Sequence, residues 1–125
     1  MSSKGIDVSS YQGEIDWSKV KAEEIQFAIL KVIRKDLSPD KMFEKNYQDA
    51  QKNEMCVGAY HFFSTKSGGK EQADNFIKTV GDLKGKLPPV VDVEVYGNDD
   101  GSYDVVDELK KYMTVIYDQY CSIVK

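Results

Sequence analysis

The sequence is poor in histidine, cysteine and proline: 125 residues hold one His, two Cys and three Pro. The lone histidine, His61, has no partner motif with which to build a serine or cysteine triad, so it reads as a structural or rim residue. Cys56 and Cys121 lack CxxC spacing and have no histidine cluster near them, so no structural metal site is expected. They read as two separate, half-buried thiols rather than a disulfide, and the redox compartment stays open. Apolar runs are short, far below the ~20 residues that a membrane-spanning helix needs, and no membrane insertion is expected. Positive charge is also scarce: Lys and Arg number 17 against 21 Asp and Glu, a formal net charge of -4. With no basic stripe to neutralise phosphates, nucleic acid is not an expected partner. Met1 to Lys4 is polar with no hydrophobic segment behind it, so no secretory leader is expected there.

What is present is the composition of one modest soluble domain, 41% hydrophobic and 30% charged. Four strand-like runs, "GIDVS" (5 to 9), "FAILKVI" (27 to 33), "VGAYHFF" (57 to 63) and "PVVDVEV" (89 to 95), are bounded by polar or Gly/Pro punctuation. Between them the period becomes helical. Asp16 is placed to cap a short helix carrying Trp17 and Val20 inward. Phe43, Tyr47 and Ala50 mark a second helix within about 39 to 53, and Ala73, Phe76, Ile77 and Val80 a third. Val105, Leu109, Tyr112, Met113, Ile116, Tyr120 and Ile123 predict an apolar stripe on a fourth, from about 104 to the C-terminus. This β-α-β-α-β-α-β-α order predicts a parallel sheet with helical crossovers. The Gly/Asn/Asp-rich stretch 96 to 104 follows the last strand, where such folds keep functional loops.

The fourth strand, "LPPVVDVEVYG", interrupts β-branched residues with two acids, Asp92 and Glu94. Alternation displays both on one face, their backbones ~6.6 Å apart, within the range over which glycosidase acid pairs work. Burying isolated charges costs several kcal/mol each, on the order of the effective penalty in real proteins, and no adjacent Arg or Lys is expected on that face. Either the strand end is solvent-exposed and the acids cap nearby amides, or a site is present. Asp7, between Ile6 and Val8 in the first strand, shows the same apolar-acid-apolar arrangement and would emerge near the same ends of a parallel sheet. Three converging carboxylates cannot all ionise easily, so one should have a raised pKa and serve as a proton donor.

"GIDVSSYQGEIDWSKVK", "FAILKV", "GAYHFF" and "LPPVVDVEV", in that order, resemble glycoside hydrolase family 25, the muramidases sometimes called Chalaropsis-type lysozymes. The resemblance covers nearly the whole chain, so residues 1 to 125 are expected to be one catalytic domain of that type, truncated at the C-terminus. It implies an irregular TIM-like β/α barrel, of which the first four β-α units are here. It also implies hydrolysis of the β-1,4 bond between N-acetylmuramic acid and N-acetylglucosamine in peptidoglycan, with no metal or organic cofactor. Glu94 matches the family's general acid, and Asp92 and Asp7 match its neighbouring acids. Secretion, or release to the cell wall, is the implied location.

The division of labour stays open between attack by the substrate's own acetamido oxygen, oriented by Asp92, and a carboxylate activating water for inversion. Tyr60 offers a stacking face and a hydroxyl to a sugar, or is a barrel-core aromatic. Tyr11 and Gln12 are further candidates for substrate contact, or simply polar turn residues. The turn "IRKDLSPD" (33 to 40) departs from the small, Gly-containing turn usual in the family, so that side of the cleft should differ in shape. A full barrel has eight strands, so four would leave edges and inner faces to be covered by further chain or by a second copy in a homodimer. The competing readings are a chitinase-like glycosidase and a non-catalytic glycan-binding module.

Overall fold

The computed structural model describes residues 3–94 and 101–124, with side chains as far as residue 120. Four strands, β1 (Gly5–Val8), β2 (Phe27–Ile33), β3 (Cys56–Phe62) and β4 (Val90–Asp92), form one parallel sheet in the order β1-β2-β3-β4. Helices α1 (Trp17–Ala22), α2 (Phe43–Lys52) and α3 (Gly69–Val80) make the crossovers, and α4 (Val105–Val124) follows the last strand. Each expected element is present, and the architecture is the anticipated α/β one. The fourth strand is shorter than its sequence run: pairing ends at Asp92, and residues 95–100, which hold most of the candidate loop, lie outside the described residues.

Local chemistry accounts for the boundaries. The Asp16 carboxylate accepts from the Ser18 and Lys19 amides at 3.1 and 3.3 Å, satisfying free N–H groups at the start of α1. Trp17 is buried, and its indole donates to Asn46 Oδ1 of α2 at 3.3 Å. The second helix begins later than its sequence pattern, at Phe43, because the buried Asp40 accepts the Met42 amide at 2.9 Å and that of Ser10 at 3.0 Å. Asp40 thereby ties the turn after β1 to the start of α2.

The sheet's two faces differ. Val8, Ala28, Leu30, Val32, Val57 and Ala59 point to the helices and are buried, joining Phe43, Ala50, Phe63, Phe76 and Tyr112 in one core. Helix α4 sits so close to α3 that a Cβ on Gly69 would collide with the Glu108 carbonyl oxygen. The Glu108 carboxylate in turn accepts the Gly69 amide at 2.8 Å. In the α4 stripe Tyr112, Ile116 and Tyr120 are buried, whereas Met113 is 53% exposed, lying with Val90 and Tyr117 along an apolar groove between β4 and α4. The side chains of Cys121 and Ile123 lie outside the described residues. Cys56, expected half-buried, is exposed, since it opens β3 at the sheet's lower rim, and it is a free thiol. No helix among the described residues is long and apolar enough to cross a membrane.

Candidate active site

The uncovered face is built by the same alternation. Parallel register sets Asp7 beside Ile29 and Ile29 beside Gly58; further along, Lys31 pairs with Tyr60, Tyr60 with Val90, and Phe62 with Asp92. Side chains one residue apart point to opposite faces, so Asp7, Lys31, Tyr60 and Asp92 share the face away from the helices. They lie towards the C-terminal ends of their strands, where β/α folds keep reactive groups. A hollow of about 480 Å³ opens there, lined by Asp7, Ile29, Tyr60, Val90, Val91, Asp92 and Glu94. The three acids therefore meet in one place. Glu94 reaches it from two residues beyond the last paired position, on the chain leaving β4.

Burial raises the Asp92 pKa first, followed by the Glu94 charge, a hydrogen bond between the two carboxyls and the Asp7 charge, while Lys31 opposes them. The raised pKa keeps the Asp92 carboxyl neutral to a higher pH than an ordinary aspartate, so a proton is more readily held in this hollow. Tyr60 is pushed well above the ordinary phenol value, by burial and then by Asp7, Asp92, Asp40 and Glu94. Its hydroxyl therefore remains a proton-bearing donor among carboxylates.

Lys31 corrects the expectation that no cation shares this face. Its Nζ lies 5.9 Å from the Tyr60 ring centroid and 5.1 Å from that of Phe62, an arrangement of the cation–π kind. From there it partly offsets the charge around Asp92. A signal for it was present: it is the one charged residue in an otherwise apolar β2 and shares the parity of Ile29. Asp40 was also missed, though an Asp just ahead of a helical period is a helix-start signal.

The other candidates lie elsewhere. Tyr11, in a short 3-10 turn (Ser10–Gln12), is 92% exposed and does not line the hollow. Gln12 uses its amide oxygen to accept the Ser9 amide at 2.8 Å, closing a capping box. His61 points to the helices and is fully buried, as the opposite of Tyr60 should be. Gln72 donates to the carbonyls of Ser64 and Ser67 at 2.7 and 2.9 Å, which turns its oxygen towards His61 Nε2 at 2.8 Å and fixes the ring proton there. Burial lowers the His61 pKa to about 4, so the ring is neutral and structural. Among the described residues no group of His, Cys, Asp and Glu could hold a metal ion.

The family model for glycosyl hydrolases family 25 matches residues 6–123. The chain belongs to this family. Lysozyme M1 of Streptomyces globisporus is 39% identical over 95 residues, covering 73% of this chain and 32% of that protein. Uncharacterized protein YegX of Escherichia coli strain K12 is 38% identical over 98 residues, 74% of this chain and 36% of its own. The structure of a family 25 glycosyl hydrolase from Bacillus anthracis superimposes with a TM-score of 0.87 at 42% identity, covering 95% of this chain and 57% of that one. The chain thus spans about a third of these curated relatives and somewhat over half of that solved family 25 domain. The fold agreement is that of the irregular β/α barrel anticipated from the motifs, over the part these residues supply.

Proposed function

We propose that this chain carries the acidic half of a peptidoglycan muramidase, hydrolysing the β-1,4 bond between N-acetylmuramic acid and N-acetylglucosamine. The observation that carries this reading is the convergence of Asp7, Asp92, Glu94 and Tyr60 on one hollow at the C-terminal strand ends. Glu94 acts as general acid, protonating the departing glycosidic oxygen, while the remaining carboxylates stabilise positive charge developing on the sugar ring. Asp92 and Glu94 crowd one hollow with Asp7, and after burial Glu94 is the first charged neighbour raising the Asp92 pKa. That proximity favours attack by the substrate's own 2-acetamido oxygen, with Asp92 accepting from the acetamido N–H. Tyr60 offers a hydroxyl and a ring edge to the sugar. Tyr11, exposed on the turn after β1, and its neighbour Gln12 would meet a longer glycan outside the hollow.

On this reading the partner is the glycan strand of the wall, and the chain acts outside the cell or at the wall. The apolar groove along β4 and α4 would be covered by further polypeptide or by a second copy. Size-exclusion chromatography with light scattering tests the second copy, and a well-behaved monomer at low concentration excludes it.

The function is tested by incubating the chain with purified peptidoglycan and measuring new reducing ends. Glu94→Gln should cut their release by about 10²–10⁴-fold, the usual worth of a positioned proton donor. Sedimentation with the wall but no release, by wild type and variant alike, would instead make the chain a binding module. Release from chitin equal to that from peptidoglycan would make it a chitinase-like enzyme.

A further inference from the structure

The turn that departs from the family pattern carries charge of the sign opposite to the hollow. Arg34, Lys35, Asp36 and Lys66 line an open cavity of about 540 Å³, formed by the chain leaving β2 and the chain leaving β3. Both segments emerge at the same strand ends as the acids. Three cations against one acid is an unusual local balance in a chain of net charge -4. The acid, moreover, is already engaged: Asp36 accepts from the Ser38 amide and hydroxyl at 3.1 and 2.5 Å, while Arg34 Nε stands 4.0 Å away.

Both supports are held in place. Arg34 N–H donates to the Ser38 carbonyl at 2.8 Å and Leu37 N–H to that of Arg34 at 2.9 Å, and Asn75 of α3 grips the Leu37 carbonyl at 3.1 Å. On the other side the buried Ser64 accepts the Lys66 amide at 3.0 Å and is itself held by the buried Gln72. Tyr103 donates to the Ser67 carbonyl at 2.6 Å, fastening the same segment. A preorganised pair of loops loses little entropy when its side chains take hold of an anion.

We propose that Arg34, Lys35 and Lys66 form a subsite for the free carboxylates of the peptidoglycan stem peptide, next to the hollow that takes the sugar. This inference rests on the muramidase reading and extends it to the peptide. Arg34 lies three residues beyond Lys31, or ~10 Å along the strand direction. The first free stem carboxylate lies about two peptide residues from the sugar, a reach of ~7 Å before the lactyl link is added. A neutral glycan such as chitin offers nothing to three cations, whereas a sugar with an anionic arm matches an acidic hollow beside a basic rim.

The test uses sacculi freed of teichoic acid, half of them with their stem carboxylates converted to methylamides. Cosedimentation of the full chain should show binding to untreated sacculi on the order of tenfold tighter than to amidated ones, as three exposed charge contacts would give. The triple variant Arg34→Gln/Lys35→Gln/Lys66→Gln, altered only at exposed positions, should bind both alike at the lower level. Lys84→Gln/Lys86→Gln, at the opposite end of the sheet, should keep the preference. Equal binding of wild type to both preparations overturns the subsite alone, as does a preference that survives the triple variant or appears only when teichoic-acid phosphate is left in place. No binding to either, with no release of reducing ends, defeats the muramidase reading itself.

Discussion

The sheet's two faces are made from the same four strands by the same alternation, yet one is packed with aliphatic and aromatic groups and the other gathers charge. On the covered face Ala28, Leu30 and Val32 of β2 and Val57, Ala59 and His61 of β3 are sealed under helices, and the polar His61 meets Gln72 there through Nε2 while its Nδ1 is buried without a hydrogen-bond partner among the described residues. On the open face the neighbouring positions are Ile29, Lys31, Gly58 and Tyr60, and the acids arrive from β1 and β4 at the flanks. The first face supplies stability. The second gives some of it up, because like charges are held together and one carboxyl is kept from ionising at its ordinary pH. Such division is expected where a rigid layer must hold a strained constellation.

The sharpest way to break this contrast is to attack the covered face. Phe76 is fully buried, edge-on to His61 and Tyr120 with centroids 6.2 and 6.5 Å away. Phe76→Ala should cost ~3–5 kcal/mol in urea unfolding, the usual range for emptying such a site. A loss under about 1 kcal/mol would mean that this layer is not the core. Next in size is the acid response of His61. Burial holds its folded pKa at about 4, below the ordinary imidazole value of 6.5, so between those values the unfolded chain binds the proton and the folded chain does not. Stability from this group is therefore complete above pH 6.5 and is lost as pH falls towards 4, by as much as ~3 kcal/mol. His61→Leu should be less stable than wild type at pH 7 and should flatten that slope; an unchanged slope would place the acid sensitivity elsewhere.

These contrasts also explain what the sequence made legible. Strand and helix order could be read because the apolar period switches cleanly from two to three or four, and Asp7 and Asp92 stand out because each breaks a β-branched run. The helix start at Asp16 carried its own capping chemistry. Lys31 was harder to place, since its meaning depends on register with Tyr60 across a strand pair that no local pattern specifies. Glu94 was placed beside Asp92 by extending the strand through it, and the two do line one hollow although strand pairing itself stops at Asp92. The basic rim joins residues from two loops, and only tertiary structure brings Arg34 near Lys66.

The smallest effect is the most informative, because stability and function should move in opposite directions. In Asp92→Asn the side chain keeps its shape and loses its charge. The folded state holds the Asp92 carboxyl above its ordinary value, so the contribution of this group is favourable at low pH and becomes a cost as pH rises through the raised pKa. Removing the charge should therefore stabilise the protein at pH 7 and do nothing near pH 3. The site is partly open to water, so screening limits the gain to roughly 0.5–1 kcal/mol, a rise in Tm of about 2–6 °C. Release of reducing ends from peptidoglycan should fall at the same time, since the carboxylate that orients the acetamido group is gone. Thermal melts at pH 3 and pH 7 with a parallel assay decide the matter. If Asp92→Asn lowers Tm at pH 7, the carboxylate is a structural acceptor, and the open face is not giving up stability to hold its acids together.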